Sequence, residues 1–266
     1  MPFVFAHVSD THLDGEPRAS ARTAAVMAYL RDLPLDAILV TGDIADHGAP
    51  GEYAEAADLL TAPVPVLVLP GNHDERAAFR KGLLDPALPG DFVGRNDAPG
   101  GPSPAADDVP GPEVAPINQV RTVGGVTFVL CDSTIPGRDD GRLAPGTLDW
   151  LDATLAATAG PVFVALHHPP VRMYNPILDT LLLTEPGGLE RVLRRHRHVV
   201  AVLCGHAHTA AASTFAGLPL LVGPGVVSTL MLEWEGRGHL SFDDPPGIAF
   251  HVLDDGHLTT HYRTVH

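Results

Sequence analysis

The stretch VLVLPGNHD, residues 66–74, is the part of the sequence that decides the fold class. Its first four residues are apolar and half of them are β-branched, which predicts a short buried strand. The turn signal Pro70-Gly71 follows, and then come an amide, an imidazole and a carboxylate. Three polar groups at the end of a buried strand are costly unless something uses them. Taken alone, however, the stretch could also be a capped turn.

The same pattern, an apolar run that ends in Asp, Asn or His, recurs in other segments of the chain. The early runs alternate with helical patterns, which predicts parallel strands joined by right-handed crossovers. Ligands of open α/β sheets bind outside the carboxyl ends of such strands. The polar residues at these ends are Asp10, His12, Asp43, Asn72, His73, His167, His206 and His208. A single histidine after a strand is more often a surface residue than a ligand, so it is the recurrence that predicts a metal site.

Length and composition set bounds on the class of protein. The 266 residues fit one large α/β domain or two small ones. Two cysteines, Cys131 and Cys204, are too few for a disulfide framework, and both lie in apolar runs that predict reduced core residues. The net charge of −15 argues against nucleic acid as a main partner. No apolar stretch reaches the ~18 residues of a membrane helix and no basic leader precedes the first strand, so we expect a cytoplasmic protein without a membrane partner.

Residues 75–84 predict a further helix, after which two regions differ from the strand-and-helix pattern. Residues 86–116 contain eight prolines and five glycines, a composition that predicts a long loop or flap. After it, residues 118–122 and 126–130 predict a hairpin around Gly124-Gly125. Near the end of the chain, residues 248–253 and 258–265 predict a second hairpin, because Asp255-Gly256 is a strong hairpin signal.

The ordered motifs resemble those of the calcineurin-like metallophosphoesterases. They are Asp10-x-His12, Gly42-Asp43-x-x-Asp46, Gly71-Asn72-His73-Asp74, His167 after a later strand, and Gly205-His206-x-His208. The sequence is most similar to the bacterial class III cyclic-nucleotide phosphodiesterases and their glycerophosphodiester-cleaving relatives. The resemblance implies an α/β fold, a four-layer αββα sandwich of two mixed sheets flanked by helices, in a single domain over residues 1–266.

The resemblance also implies a role for each site residue. One metal ion would take Asp10, His12 and His208, the other would take Asn72, His167 and His206, and Asp43 would bridge both. His73 would be the catalytic histidine, and Asp74 could orient it. Asp46 and His168 are candidates for contacts with substrate or with the ligands. The assignment of a ligand role to His167 rather than His168 rests on the end of the strand.

The chemistry of these residue types agrees with a two-metal hydrolase. Two ions can clamp the attacking and leaving oxygens of an in-line displacement, and a carboxylate has two oxygens with which to bridge them. Imidazole and oxygen ligands without thiolate suit Mn, Fe, Zn or Co. The ions would also keep the site positive within an acidic protein. We therefore expect a phosphodiesterase that cleaves a small diester substrate.

The sequence leaves several alternatives open. The substrate could be a 3′,5′-cyclic nucleotide such as cAMP, a glycerophosphodiester, or a broad range of phosphoesters, and the protein could form a homodimer. A non-catalytic scaffold of the same fold is a distant alternative, but it should have lost ligands, whereas every ligand position here is filled. His47 is a further candidate for a contact with substrate or with the ligands, and His7 is expected to pack or to bond the backbone. The other histidines are expected to lie at the surface: His196, His198, His239, His251, His257, His261 and His266.

Overall fold

The computed structural model describes residues 1–85 and 115–266. The strands among them are β1 (Phe3–Val8), β2 (Ala37–Thr41), β3 (Val66–Leu69), β4 (Gln119–Val123), β5 (Val126–Cys131), β6 (Val162–Leu166), β7 (Val199–Cys204), β8 (Ala211–Phe215), β9 (Leu218–Val222), β10 (Thr229–Leu230), β11 (Leu240–Ser241), β12 (Gly247–Asp254) and β13 (His257–Thr264). The helices are α1 (Pro17–Arg31), α2 (Pro50–Leu59), α3 (Arg76–Phe79), α4 (Pro145–Ala157) and α5 (Gly187–Leu193). The predicted loop at 86–116 lies outside the described residues, except for its last two.

These strands form two larger mixed sheets and a small two-stranded one. The first sheet has the order β13-β12-β1-β2-β3, and the second has the order β4-β5-β6-β7-β9-β8. Strands β1, β2 and β3 are parallel, as are β5, β6, β7 and β9. The antiparallel strands β12 and β13 extend the first sheet beside β1. Both predicted hairpins are present, as β4–β5 and β12–β13.

The two sheets pack face to face on an apolar layer. Phe5 meets Phe128 edge-on with ring centroids 5.0 Å apart, and Phe128 stacks on Phe163 at 5.6 Å. The outer face of the first sheet packs with residues of α1 and α2, and the outer face of the second packs with residues of α4 and α5. The result is the predicted four-layer αββα arrangement, in which the carboxyl ends of β1, β2, β6 and β7 meet at one edge.

Two local features differ from the expectation. The segment after β3, predicted as one helix, is a single turn of α-helix followed by a π-helical turn at Arg80–Leu84. His251, predicted at the surface, is fully buried. In β12 it lies two residues from each of the buried residues Ala249 and Leu253, so its side chain points to the same face of the strand as theirs. Within the described ranges, no helix is long and apolar enough to cross a membrane.

Candidate metal centre

The loops that follow the strands hold their polar residues in an unusual backbone conformation. Nine non-glycine residues in the described ranges have a positive φ. Five of these nine are predicted metal ligands: Asp10, His12, Asp43, His206 and His208. Such conformations cost about 1–3 kcal/mol each and occur mainly where a functional site requires them. The backbone at this edge is therefore shaped for the placement of these side chains.

A first group of ligand atoms is formed by Asp10, His12, Asp43 and His208, whose atoms lie within 4.8 Å of one another. His12 Nε2 lies 3.2 Å from His208 Nε2 and 3.5 Å from an Asp43 oxygen. His208 Nε2 lies 3.5 Å from an Asp10 oxygen. Two carboxylates and two imidazoles that converge in this way can hold one metal ion.

The second group lies on the other side of Asp43. His167 Nε2 is 3.3 Å from Asp43 Oδ2, the same oxygen that faces His12, and 3.2 Å from His206 Nδ1. Asn72 follows Gly71, which lies so close to Asp43 that an added Cβ would be 2.2 Å from Asp43 Oδ1. Asp43 thus stands between two sets of ligand atoms.

His168 also lies beside His167 and His206, but its ring is held by other groups. Both of its ring nitrogens have partners, because Nδ1 is 2.8 Å from Ser133 Oγ and Nε2 is 3.2 Å from the Asp139 carbonyl. His167 instead directs Nε2 at Asp43. These contacts favour His167 as the ligand, with His168 packed against the ring of His206 at 4.7 Å.

Several buried polar atoms of the two groups have no hydrogen-bond partner. Within the described part of the chain there are five such atoms, and three belong to predicted ligands: Asp10 Oδ2, Asn72 Oδ1 and His206 Nε2. An unsatisfied buried polar atom costs about 1–3 kcal/mol. Two of the three are oxygens that a metal ion can satisfy. The donor set therefore fits metal ions.

The charges within the centre are set by burial and by close neighbours. Burial raises the pKa of Asp43, but His167 and then His12 outweigh it and hold that pKa well below its usual range. Burial lowers the pKa of His167, yet Asp43 and then Asp10 raise it to about 9. Burial, aided by His167, lowers the pKa of His206 to about 3. Asp43 is thus ionised and His206 neutral, as ligands must be, whereas an ion that binds His167 near neutral pH displaces a proton.

His73 lies at the open side of the centre, with 39% of its side chain exposed. Its backbone N–H donates to Asp43 Oδ1 at 2.9 Å, and its Nδ1 donates to the Asp46 carbonyl oxygen at 2.8 Å. The side chain of Asp46 accepts a hydrogen bond from His12 Nδ1, also at 2.8 Å. Asp46 therefore contacts both a predicted ligand and the predicted catalytic histidine.

Asp74 has a different role from the one expected. It accepts hydrogen bonds from the backbone N–H groups of Ile44, Ala45 and Gly71 and from the Tyr53 hydroxyl, at 2.8–3.1 Å. These four donors occupy both carboxylate oxygens. The expectation that Asp74 orients His73 is thus wrong, and Asp74 instead ties the loop after β2 to the loop after β3.

A comparison with known proteins identifies the family. The model of the calcineurin-like phosphoesterases matches residues 3–210. The chain belongs to this family. Its sequence is 31% identical to that of a cAMP/cGMP dual specificity phosphodiesterase of Mycobacterium tuberculosis, over 95% of this chain and 77% of the relative. It is also 31% identical to the glycerophosphodiester phosphodiesterase GpdQ of Enterobacter lignolyticus, over 93% of this chain and 86% of that one.

Solved structures show the same fold. A dimetal phosphatase from Danio rerio superimposes with a TM-score of 0.68 over all of this chain and 98% of that one, at 17% identity. The predictions of the family, of the αββα fold and of a metal-dependent phosphodiester hydrolase are confirmed. The role of each site residue remains a prediction.

The sequence did not reveal the serine hydroxyls and the threonine carbonyl that hold the histidine rings of the centre in place. Ser228 Oγ lies 2.8 Å from His208 Nδ1, Ser133 Oγ lies against His168, and the Thr41 carbonyl accepts from His167 Nδ1 at 2.6 Å. Serine and threonine at these positions match no motif. Their partners are 20 to 126 residues away, and nothing in the sequence signals such contacts.

Proposed function

We propose that this phosphoesterase hydrolyses small phosphodiesters at a centre of two metal ions that share Asp43. The observation that carries the proposal is the position of Asp43 Oδ2, 3.5 Å from His12 Nε2 and 3.3 Å from His167 Nε2. One ion would take Asp10, His12 and His208, and the other would take Asn72, His167 and His206. When bound, such ions polarise the phosphoryl oxygens and acidify a water molecule.

The hydrogen bonds around the rings fix which nitrogen each histidine offers. A carboxylate or a carbonyl oxygen can only accept, so His12 Nδ1 donates to Asp46 and His167 Nδ1 donates to Thr41. In both rings it is therefore Nε2 that faces Asp43 and that a metal ion can take, with displacement of a proton where the ring is charged. A metal-binding histidine commonly has its second nitrogen fixed in this way.

The hydrogen bond of His73 Nδ1 likewise sets its proposed catalytic role. Because its Nδ1–H donates to the Asp46 carbonyl, the transferable proton of the protonated ring is on Nε2. From the exposed rim His73 can give this proton to the departing alkoxide, or donate to a phosphoryl oxygen as charge develops. General acid catalysis of this kind typically contributes 10²–10⁴-fold.

A cavity of about 240 Å³ beside His73 is the proposed place for the alcohol part of the substrate. The residues that line it include Asn72, His73, Ile135, Pro136 and Gly137. The charged groups nearby have other partners, since Glu75 caps α3 and Arg76 pairs with Asp132 at 2.8 Å. This lining suits an uncharged alcohol with some apolar surface, such as a ribose or a glycerol unit.

The substrate class is proposed as 3′,5′-cyclic nucleotides such as cAMP, or glycerophosphodiesters. The named activities of the relatives in Mycobacterium tuberculosis and Enterobacter lignolyticus support both. The test is a panel assayed after reconstitution with Mn, Fe, Zn or Co: cAMP, cGMP, a glycerophosphodiester, and an aryl diester against its monoester. We expect diesters to be preferred over the monoester, with the highest kcat/KM on one of the two natural classes.

Asp43→Ala is the control that ties activity to the shared ligand. It should lose nearly all activity and at least one metal per chain, as measured by elemental analysis. Two metals retained in an active Asp43→Ala protein would remove Asp43 from its proposed position between the ions.

A further inference from the structure

A row of polar side chains crosses the inner face of the first sheet, within the apolar layer between the two sheets. Thr260 Oγ1 of β13 lies 2.8 Å from His251 Nδ1 of β12, and His251 Nε2 lies 3.2 Å from His7 Nδ1 of β1. His7 Nε2 then lies 2.8 Å from Thr41 Oγ1 of β2. His7, His251 and Thr41 are fully buried. Buried polar groups need such partners, but the motifs of the metal centre do not involve them.

The row continues to the metal centre through Thr41. The Thr41 hydroxyl donates to Ser9 Oγ at 2.9 Å, and the Ser9 hydroxyl donates to the Thr41 carbonyl at 3.3 Å. The same carbonyl accepts from His167 Nδ1 at 2.6 Å. The Thr41 carbonyl oxygen thus accepts hydrogen bonds both from Ser9, the last residue of this row, and from His167, a predicted metal ligand.

The direction of every hydrogen bond in the row follows from this end. A carbonyl oxygen can only accept, so the Ser9 hydroxyl donates to it and must accept from Thr41. The Thr41 hydroxyl has then used its proton, and His7 Nε2 must donate to it.

The two histidines carry the same hydrogen-bond direction on to the edge of the sheet. His7 Nδ1 carries no proton and accepts from His251 Nε2, which leaves His251 Nδ1 to accept from the Thr260 hydroxyl. Burial lowers the pKa of His7 to about 3, and burial together with His7 lowers the pKa of His251 well below its usual range. Both rings are therefore neutral, and each carries one proton, on either Nδ1 or Nε2.

We propose that this row is a positioning network, in which His251 and His7 act through Thr41 and Ser9 to fix the Thr41 carbonyl and hence the ring of His167. The network holds His7 and His251 as Nε2–H tautomers and keeps the Nδ1–H of His167 on the Thr41 carbonyl, so that His167 Nε2 faces Asp43 and is the nitrogen that can exchange its proton for a metal ion. The inference rests on the proposed function only in that it takes His167 as a metal ligand. It gives a function to two buried histidines that lie outside the centre.

Two glycines of the opposite sheet support the inference independently. A Cβ at Gly223 would lie 2.7 Å from His7 Nε2, and a Cβ at Gly205 would lie 2.0 Å from Ser9 Oγ. Neither glycine has the left-handed backbone conformation that favours glycine. Their lack of a side chain is therefore explained by the space that His7 and Ser9 occupy.

The reverse direction of the row is the competing arrangement. If the Ser9 hydroxyl donated to Thr41 Oγ1, the Thr41 hydroxyl could donate to His7 Nε2, and both histidines would become Nδ1–H tautomers. That arrangement loses the bond from Ser9 to the Thr41 carbonyl and with it the link to His167. The two arrangements predict opposite tautomers, so a measurement of the tautomers distinguishes them.

The first test is a long-range ¹H–¹⁵N correlation spectrum of the metal-free protein with ¹⁵N-labelled histidine, assigned with single His→Gln variants. We expect Nε2–H signals for His7 and His251 and an Nδ1–H signal for His167. Nδ1–H tautomers at His7 and His251 would overturn the proposal. Since no metal or substrate is present, this outcome is independent of whether the protein hydrolyses diesters.

The second test measures binding of Zn²⁺ and Mn²⁺ alone to variants of His251. His251→Leu cannot donate to His7, whereas the amide N–H of His251→Gln can take the place of Nε2–H. We expect the leucine variant to bind one of the two ions about 10–100-fold more weakly, the range typical of groups that orient a metal ligand, and the glutamine variant to recover much of that affinity. His257→Leu, at an exposed position of the same hairpin, is the control and should bind as the wild type does.

Equal metal affinity of the wild type and a folded His251→Leu protein would overturn the positioning role. If the leucine variant does not fold, Thr260→Val and Thr259→Val form a matched pair, because only Thr260 contacts His251. Thr260→Val should shift the Nδ1 signal of His251, because this nitrogen loses its donor, and Thr259→Val should not. Identical spectra for the pair would equally overturn the proposal.

Discussion

The Asp46 carbonyl accepts a hydrogen bond from His73 Nδ1 at 2.8 Å while the Asp46 carboxylate accepts one from His12 Nδ1 at the same distance. One residue thus sets the orientation of the predicted catalytic histidine and of a predicted metal ligand, whose rings meet edge to face at 4.6 Å. His73 is held at a fixed place beside the centre, with Nε2 free, and its contribution can be tested separately from metal binding.

His73→Ala should retain both metals and lose rate in proportion to how poor the leaving group is. A general acid contributes most when the departing alkoxide is strongly basic, as a ribose oxygen is, and least for a nitrophenolate. The measurement is kcat/KM across diesters with leaving groups of graded pKa, with His257→Ala as the control. A loss that is the same for all leaving groups would indicate substrate positioning, and loss of a metal would make His73 a ligand.

Ile135→Trp should obstruct the cavity beside His73. We expect KM for cAMP and for an aryl diester to rise about tenfold, since one group in a substrate pocket is typically worth 1–3 kcal/mol, without loss of metal. Ile177→Trp is the matched control, because Ile177 is exposed and does not line the cavity. If the two tryptophan variants have the same kinetics, the cavity does not receive the substrate.

Asp74→Ala should destabilise the protein by at least about 3 kcal/mol, because it leaves three backbone N–H groups and the Tyr53 hydroxyl without their acceptor. Asp74→Asn keeps one acceptor oxygen and should lose less. Urea unfolding gives both values, and Asp58→Ala, at an exposed position on α2, should be close to neutral. A stable Asp74→Ala protein with slow catalysis would return Asp74 to the role of orienting His73.

Acid should destabilise the protein partly through His7. The unfolded chain takes up a proton on this histidine near pH 6.5, whereas burial lowers its pKa to about 3 in the folded protein. Between these values the unfolded state binds more protons, so stability falls as the pH falls, by about 1.4 kcal/mol per pH unit for this group. His7→Leu should lack this contribution, and its stability relative to the wild type should improve steadily between pH 6.5 and 4.5. A stability difference between His7→Leu and the wild type that is constant across this pH range would contradict the prediction. His257→Leu serves as the control.

Much of the centre could be predicted from the sequence because strand ends are local features. The apolar runs fix β1, β2, β3, β6 and β7, and parallel order then places the residues after them at one edge. Asp10, His12, Asp43, His167, His206 and His208 are brought together there as that reasoning requires. Each of these predicted ligands follows a strand within a few residues, so the motif spacings are enough to place it at this edge.

The features that could not be predicted depend on contacts between distant parts of the chain. Sequence proximity suggested that Asp74 serves His73, but its side chain turns instead toward the loop after β2, about 30 residues away. His167 and His168 are adjacent, and only the partners of His168 distinguish them. His251 looked like a surface residue of a hairpin, because nothing in the sequence shows that this hairpin pairs with β1 and turns His251 inward.

The predicted ligands come from both halves of the sandwich, and this has a mechanical consequence. His12 follows β1 of the first sheet and His208 follows β7 of the second, yet their ring nitrogens lie 3.2 Å apart. Metal ions held there would act as cross-links that clamp one sheet to the other at this edge, in a chain whose two cysteines are both free and buried. Chelation would then loosen the contact between the sheets at the edge proposed for substrate binding, while the aromatic layer farther inside continues to hold them together.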